Sequence, residues 1–202
     1  FLMEKEQFSY PESLRWLAEK YNIEIPAEKE LSAEEMAALN EKESLFIIND
    51  FAKKYFCENL INTDEGKSIG LSYFKERGFS TDTINKFELG YCLNSSNAFS
   101  KAASKNGYKQ EYLEKLGLIK NKENKSFDFF RGRIIFPIHS ASGRVLGFGA
   151  RTLLKEKKIA KYFNSPENPI YNKSEILYGL YYSKGGIIKN DNCYICEGYT
   201  DV

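Results

Sequence analysis

Two runs rich in β-branched and aromatic residues, 134–139 and 145–153, are separated only by Ser140-Ala141-Ser142-Gly143 and Arg144. So short a gap between strand-like runs makes an antiparallel hairpin the direct continuation. Before it, the signals are helical. Ser9 is placed to cap a short helix with Pro11 near its first turn and Leu14, Leu17, Ala18 and Tyr21 on one face; Pro26 ends it. Ser32-Ala33-Glu34-Glu35 reads as a capping box opening a long helix to about residue 61. Its apolar positions (Met36, Leu39, Phe46, Ile47, Phe51, Tyr55, Leu60) drift around the surface, as expected for a helix covered by different neighbours. A helix over 64–77 closed by Gly78, a short one after Ser80-Thr81-Asp82 and a strand at 89–93 follow. Helices near 97–106 and 109–116 are each followed by a glycine, Gly107 and Gly117. Beyond the hairpin the pattern predicts a strand at 160–164, a loop with Pro166 and Pro169, a short helix near 174–183 and a strand at 192–197. The expected fold class is α+β: a helical first half, then a basic subdomain bearing a mixed or antiparallel sheet.

Charge follows the same division. The net charge of +1 hides an uneven distribution: residues 1–50 carry 5 Lys/Arg against 12 Asp/Glu, and residues 51–202 carry 24 against 16. Nine basic groups fall within 131–173, against only Glu156 and Glu167. Such a concentration suits a polyanionic partner, with a solvated surface as the plain alternative. No apolar run approaches the roughly 20 residues that span a bilayer, and no basic-then-apolar leader opens the chain. Four cysteines in 202 residues are too few for a disulfide scaffold, which fits a reducing cytoplasm.

Several motif-like strings lack their context. Gly66-Lys67-Ser68 resembles the end of a phosphate-binding loop, but Ile61 stands where the first glycine belongs. Gly147-Phe148-Gly149 has Thr152 in place of the third glycine of a dinucleotide fingerprint, and no helix opens there. Cys193 and Cys196 have a zinc-like spacing without a second pair, and on a strand they face opposite sides. They read as buried structural cysteines.

Three blocks carry chemistry. In the first, Arg131 and Arg133 share one face of a predicted strand, and Gly147, Gly149 and Arg151 form an i, i+2 row. Glycines strip a strand face so that a ligand or backbone approaches closely, and arginine at the end of the strip offers a planar fork for phosphate oxygens. A barrel corner with surface arginines is the alternative. In the second block, Lys161, Tyr162, Asn164 and Lys173 lie within one irregular loop: cations for a phosphodiester backbone, an aromatic for stacking, and an amide for a base or sugar. In the third, an apolar strand ends at Glu197-Gly198, with Asp201 four residues on; such a glutamate suits Mg²⁺ binding or general-base action on a 3′-hydroxyl.

Together these blocks resemble the DnaG-type primases. The matching residues are Phe130-Arg131-Gly132-Arg133 through Pro137-Ile138, Gly147-Phe148-Gly149-Ala150-Arg151, Lys161-Tyr162-Phe163-Asn164-Ser165-Pro166-Glu167, Leu177-Tyr178-Gly179-Leu180, and Glu197-Gly198-Tyr199-Thr200-Asp201-Val202. Ala150 departs from the glycine common in the family. The resemblance implies an enzyme that makes short RNA primers on single-stranded DNA from ribonucleoside triphosphates with Mg²⁺ (or Mn²⁺). It also implies a Zn²⁺-binding domain and a helicase-binding region outside this sequence, and a place at the cytoplasmic replication fork. Carried over, Arg77, Arg131, Arg133, Arg151, Lys161, Tyr162, Asn164 and Lys173 line a basic groove, Glu197 is the first metal-binding carboxylate, and Asp201 stands beside it. Residues 1–30 are then a linker and helix, 31–190 the amino-terminal part of the RNA polymerase core, and 191–202 the first strand of a Toprim domain. Both termini read as cuts, and the fragment alone is expected to be inactive. A primase half of a primase-helicase, another Toprim enzyme and a non-catalytic single-strand-binding module are the competing readings.

Overall fold

The computed structural model describes residues 10–23, 32–122, 125–153 and 160–202. The chain packs as two units, one up to Ala38 and one from Leu39 to Val202. In the first, helix α1 spans Tyr10–Lys20, with the Lys20 ammonium 4.6 Å from the Trp16 ring. Ala18 is buried, whereas Leu14, Leu17 and Tyr21 are exposed, so the expected four-residue apolar face is only partly covered. Ser9 and Pro26 lie outside the described residues.

Helix α2 spans Ala33–Asn62, and its capping box forms as read. The Ser32 N–H donates to Glu35 Oε2 (2.8 Å) and the Glu35 N–H to Ser32 Oγ (3.2 Å). Its buried stripe is straighter than the apolar pattern suggested. Leu45, Ile48, Ala52, Phe56 and Leu60 recur at helical spacing on one side, while Leu39 and Ile47 stay exposed. Asn49 is also buried, and its amide donates to the Val145 carbonyl, which ties this helix to the sheet.

Next come a π-helical segment, Gly66–Leu71, then α3, Ser72–Glu76, and α4, Thr81–Lys86. Gly66 is required where it stands, because a Cβ would collide with the Asn59 carbonyl. Gly66-Lys67-Ser68 is thus a tight helical junction and not a phosphate loop. Gly78 closes α3 at φ 78°, and the Ser80 side chain caps α4 by accepting the Thr83 N–H.

Strand β1 (Gly90–Cys92) is followed by helices α5 (Ala98–Lys105) and α6 (Gln110–Lys115). Strands β2 (Ile119–Lys122) and β3 (Lys125–Asp128) then form a two-stranded hairpin that the sequence reading did not contain. Strands β4 (Arg133–His139), β5 (Val145–Thr152) and β6 (Tyr162–Asn164) complete the main sheet. That sheet is antiparallel throughout, in the order β1-β4-β5-β6, so the fold is α+β.

Register decides what each face carries. Ile135 pairs with Ala150 and Pro137 with Phe148, and this face packs under α2, with Phe56 edge-on to Phe148 at 5.5 Å. Ile134 pairs with Arg151 and Phe136 with Gly149 on the other face, beside Leu60, Phe74 and Tyr91.

The carboxyl-terminal part differs from expectation in two places. Helix α7 spans Leu180–Asn190, later than the predicted 174–183, where only a 3₁₀ turn (Lys173–Glu175) forms early. Residues 192–197 do not form a strand: a strand needs a hydrogen-bonded neighbour, and none among the described residues pairs with them. Cys193 and Cys196 are accordingly exposed, not buried.

Candidate nucleic-acid interface

The row Gly147, Gly149, Arg151 lies on the sheet face carrying Ile134 and Phe136. Strand β6 adds Asn164 opposite Gly149 and Tyr162 opposite Arg151 on that face. The space bared by Gly149 is filled by an aromatic ring: a Cβ there would come within 2.6 Å of Tyr199. Tyr199 stacks on Phe136 (5.4 Å between centroids, 15° between planes) and donates to Asn164 Oδ1 at 2.9 Å. Burial pushes its phenol up to about 12, so near neutral pH the hydroxyl is a proton donor.

Arg151 is 7% exposed. One guanidinium nitrogen donates to Tyr162 Oη at 2.9 Å, and the guanidinium carbon lies 5.0 Å from the Tyr73 ring and 5.4 Å from that of Tyr162. Arg77, one helical turn after Tyr73, places its guanidinium 5.3 Å from the same ring. Tyr73 is thus shared by two cations. Arg151 Nε is buried without a hydrogen-bond partner among the described residues, and no described carboxylate forms an ion pair with Arg151. Among the described residues this buried guanidinium has aromatic partners and no counter-charge, so its positive field is not cancelled locally.

A cleft of about 790 Å³ opens on this face, lined by Tyr162, Asn164, Tyr178, Glu197, Tyr199 and Asp201 among others. A smaller one of about 240 Å³ shares Tyr178 and Tyr199 with it and has Arg77 on its wall.

The family of the DNA primase catalytic core, N-terminal domain, matches this chain over residues 55–184. The chain belongs to the DnaG-type primase family. The DNA primase of Halalkalibacterium halodurans is 35% identical over the whole chain, and that of Clostridium acetobutylicum 36%. The chain spans about a third of the length of these curated relatives. The RNA polymerase domain of Mycobacterium tuberculosis primase DnaG is 32% identical and superposes with a TM-score of 0.74, covering 79% of this chain and 52% of that one. The Aquifex aeolicus primase structure, with zinc-binding and RNA polymerase domains, is 32% identical with a TM-score of 0.72, covering 100% of this chain and 46% of that one. A DnaG primase catalytic domain bound to single-stranded DNA is 30% identical with a TM-score of 0.67, covering 73% and 45%.

Within this DnaG-type fold the expected site residues separate into groups. Arg77, Tyr162, Asn164, Glu197 and Asp201 line the two clefts, and Arg151 lies buried behind them, joined to the larger one through its hydrogen bond to Tyr162. Arg133 does not join them. It pairs with Thr152, one position from the Ile134–Arg151 pair, and so points to the opposite face. There it donates to the Ala160 carbonyl (3.3 Å) and lies 4.1 Å from the Phe163 ring; burial lowers its pKa. Arg131 does not share a strand face with Arg133 either, because it sits exposed in the turn before β4, where Gly132 adopts φ 64°. Lys161 and Lys173 are exposed and line neither cleft.

Tyr73 is a site residue that sequence reasoning missed, and Tyr178 and Tyr199 were carried only within motifs. The four-residue spacing of Tyr73 and Arg77 on a helix was the available signal.

Glu197 is exposed, whereas the Asp201 carboxylate accepts from the Gly198 N–H (3.2 Å) and the Thr200 hydroxyl (3.4 Å). No group of three potential metal ligands occurs among the described residues. These two carboxylates do not by themselves make a metal site. No helix of the described residues is long and apolar enough to cross a membrane.

Proposed function

We propose that this chain is the amino-terminal part of a primase RNA polymerase core, and that the clefts beside its Arg151-bearing sheet face hold a single-stranded DNA template, with Tyr199 covering the glycine strip at Gly149. In this reading the whole enzyme makes short RNA primers from ribonucleoside triphosphates at the cytoplasmic replication fork, alongside the replicative helicase. Arg77 and Arg151 attract the phosphodiester backbone, Tyr162 stacks a base, and Asn164 fixes its register. Arg131, Lys161 and Lys173 extend the positive field around it, and Arg133 anchors the edge strand. Glu197 and Asp201 are two carboxylates of a Mg²⁺ or Mn²⁺ site whose other ligands the described residues do not supply. Zn²⁺ belongs to a separate domain. Phosphoryl transfer depends chiefly on positioning and charge neutralisation, and this chain contributes positioning.

The observation that carries this reading is the buried Arg151, held by Tyr73 and Tyr162 without a described carboxylate. Stability alone gives no reason to bury such a charge, since apolar replacement of buried ions is often neutral or stabilising. The test is fluorescence anisotropy of labelled single-stranded DNA with the wild-type chain and Arg151→Met at two salt concentrations. The expected result is salt-sensitive binding, about tenfold weaker in the variant for roughly 1.4 kcal/mol of lost charge-assisted contact, with the thermal midpoint unchanged or higher. Equal affinity of the two proteins would remove Arg151, and with it this face, from template binding.

A further inference from the structure

The main sheet does not account for the β2–β3 hairpin. Its register pairs Ile119 with Asp128 and Asn121 with Ser126 on one face, and Lys120 with Phe127 and Lys122 with Lys125 on the other. Ile119 and Asp128 are buried, whereas all three lysines and Phe127 are exposed. Lys122 and Lys125 therefore face each other directly across a ladder, where like charges repel. None of the three lysines has a carboxylate partner among the described residues, whereas Lys53, Lys54, Lys109 and Lys115 do. An arrangement unfavourable to the hairpin itself is suited to a polyanion laid across it.

The hairpin is also continuous with the edge of the sheet. The Lys120 ammonium lies 4.5 Å from the Phe129 ring, and Phe129 stacks on Phe163 (5.7 Å, 13°). Phe163 sits in β6 between Tyr162 and Asn164, so one short strand presents the cleft residues on one face and this aromatic pair on the other. Exposed Arg131 occupies the turn between the hairpin and β4. On the flank of β3 a cleft of about 400 Å³ has Lys101 and Lys125 among serines, Asn97 and Gln110, with no carboxylate in its lining. Its attraction for anions does not come from the end of α5, because the Asp128 carboxylate already takes the Phe99 and Ser100 N–H groups.

We propose that the lysine face of the β2–β3 hairpin is a second phosphodiester-binding surface, which receives the single-stranded DNA after it crosses the β6 edge from the clefts. This rests on the template-binding reading above. The test compares single-stranded DNA of roughly 6 and roughly 20 nucleotides, lengths chosen to fill one surface or both. Both are titrated with the wild-type chain and with Lys122→Gln/Lys125→Gln. The double variant is expected to bind the long strand about tenfold more weakly, with a salt slope lower by about 1.4 at ~0.7 per lost phosphate contact. It should bind the short strand unchanged and melt no earlier than the wild type, because the repelling pair is gone. Unchanged affinity for the long strand, with short-strand binding intact, would overturn the hairpin proposal alone. Failure of the wild type to bind either length would overturn the template-binding reading and this proposal with it.

Discussion

Glu88 holds three parts of the fold from a backbone conformation that side chains other than glycine seldom adopt, φ 53°. Its carboxylate accepts from Lys53 on α2 (2.6 Å) and contacts His139 Nε2 on β4 (2.9 Å), and its carbonyl accepts from the Cys57 thiol (3.1 Å). The hydrogen bond with His139 lowers the Glu88 pKa most, burial works against it, and Lys53 lowers it further. A carboxylate whose folded pKa lies below its unfolded value stabilises the fold above the unfolded pKa. That contribution is lost as pH falls through the folded value. Glu88→Gln keeps the shape and removes the charge. With the Glu88 side chain 34% exposed, solvent screening reduces the expected loss to about 1 kcal/mol at neutral pH. Urea denaturation at pH 7 and at stepwise lower pH below 4.5 should show the wild type descending towards the variant. Two parallel stability curves would mean the carboxylate's charge contributes nothing.

At the scale of elements, legibility followed the range of the interactions. Helix ends were readable because their signals are local: the Ser32–Glu35 box, the Ser80 cap, and Gly78, Gly107 and Gly117 at positive φ. The β4–β5 hairpin was readable from its short connection. The β2–β3 hairpin was not, because Lys120-Asn121-Lys122 and Lys125-Ser126 show no apolar alternation. Nor could register be read, and register separates Arg133 from Arg151 by a whole sheet thickness although both strands were expected. Residues 192–197 show the same limit. Tyr194 and Ile195 have strand-forming side chains yet stand 90% and 87% exposed, because pairing comes from a neighbour and not from propensity. Hydrogen exchange resolves these elements. Amides within the β4–β5 ladder should exchange roughly a thousandfold or more slower than those of 192–196, since central strands open only with an unfolding of about 5 kcal/mol or more. Comparable protection of the two segments would show that 192–196 has a ladder partner in solution.

The whole molecule carries a charge separation that its net +1 conceals. Acidic residues crowd the first 50 positions, while the unit from Leu39 onward has its own hydrophobic core, both clefts and the lysine hairpin. Charges on one chain share a field, so an acidic segment weakens the attraction of a basic face for a polyanion even without touching it, within a screening length of about 10 Å at 0.1 M salt. A chain beginning at Ser32 keeps the capping box of α2 and loses 4 basic and 7 acidic residues, which moves the net charge from +1 to +4. This shortened chain is expected to bind single-stranded DNA several-fold more tightly at low salt. The difference should shrink as ionic strength rises, because added salt screens the removed repulsion. The slope against salt should therefore steepen by only a fraction of one phosphate contact, since the lost carboxylates make no phosphate contacts. A slope steeper by a full contact or more, about 0.7, would instead mean that the acidic segment had been covering a cation.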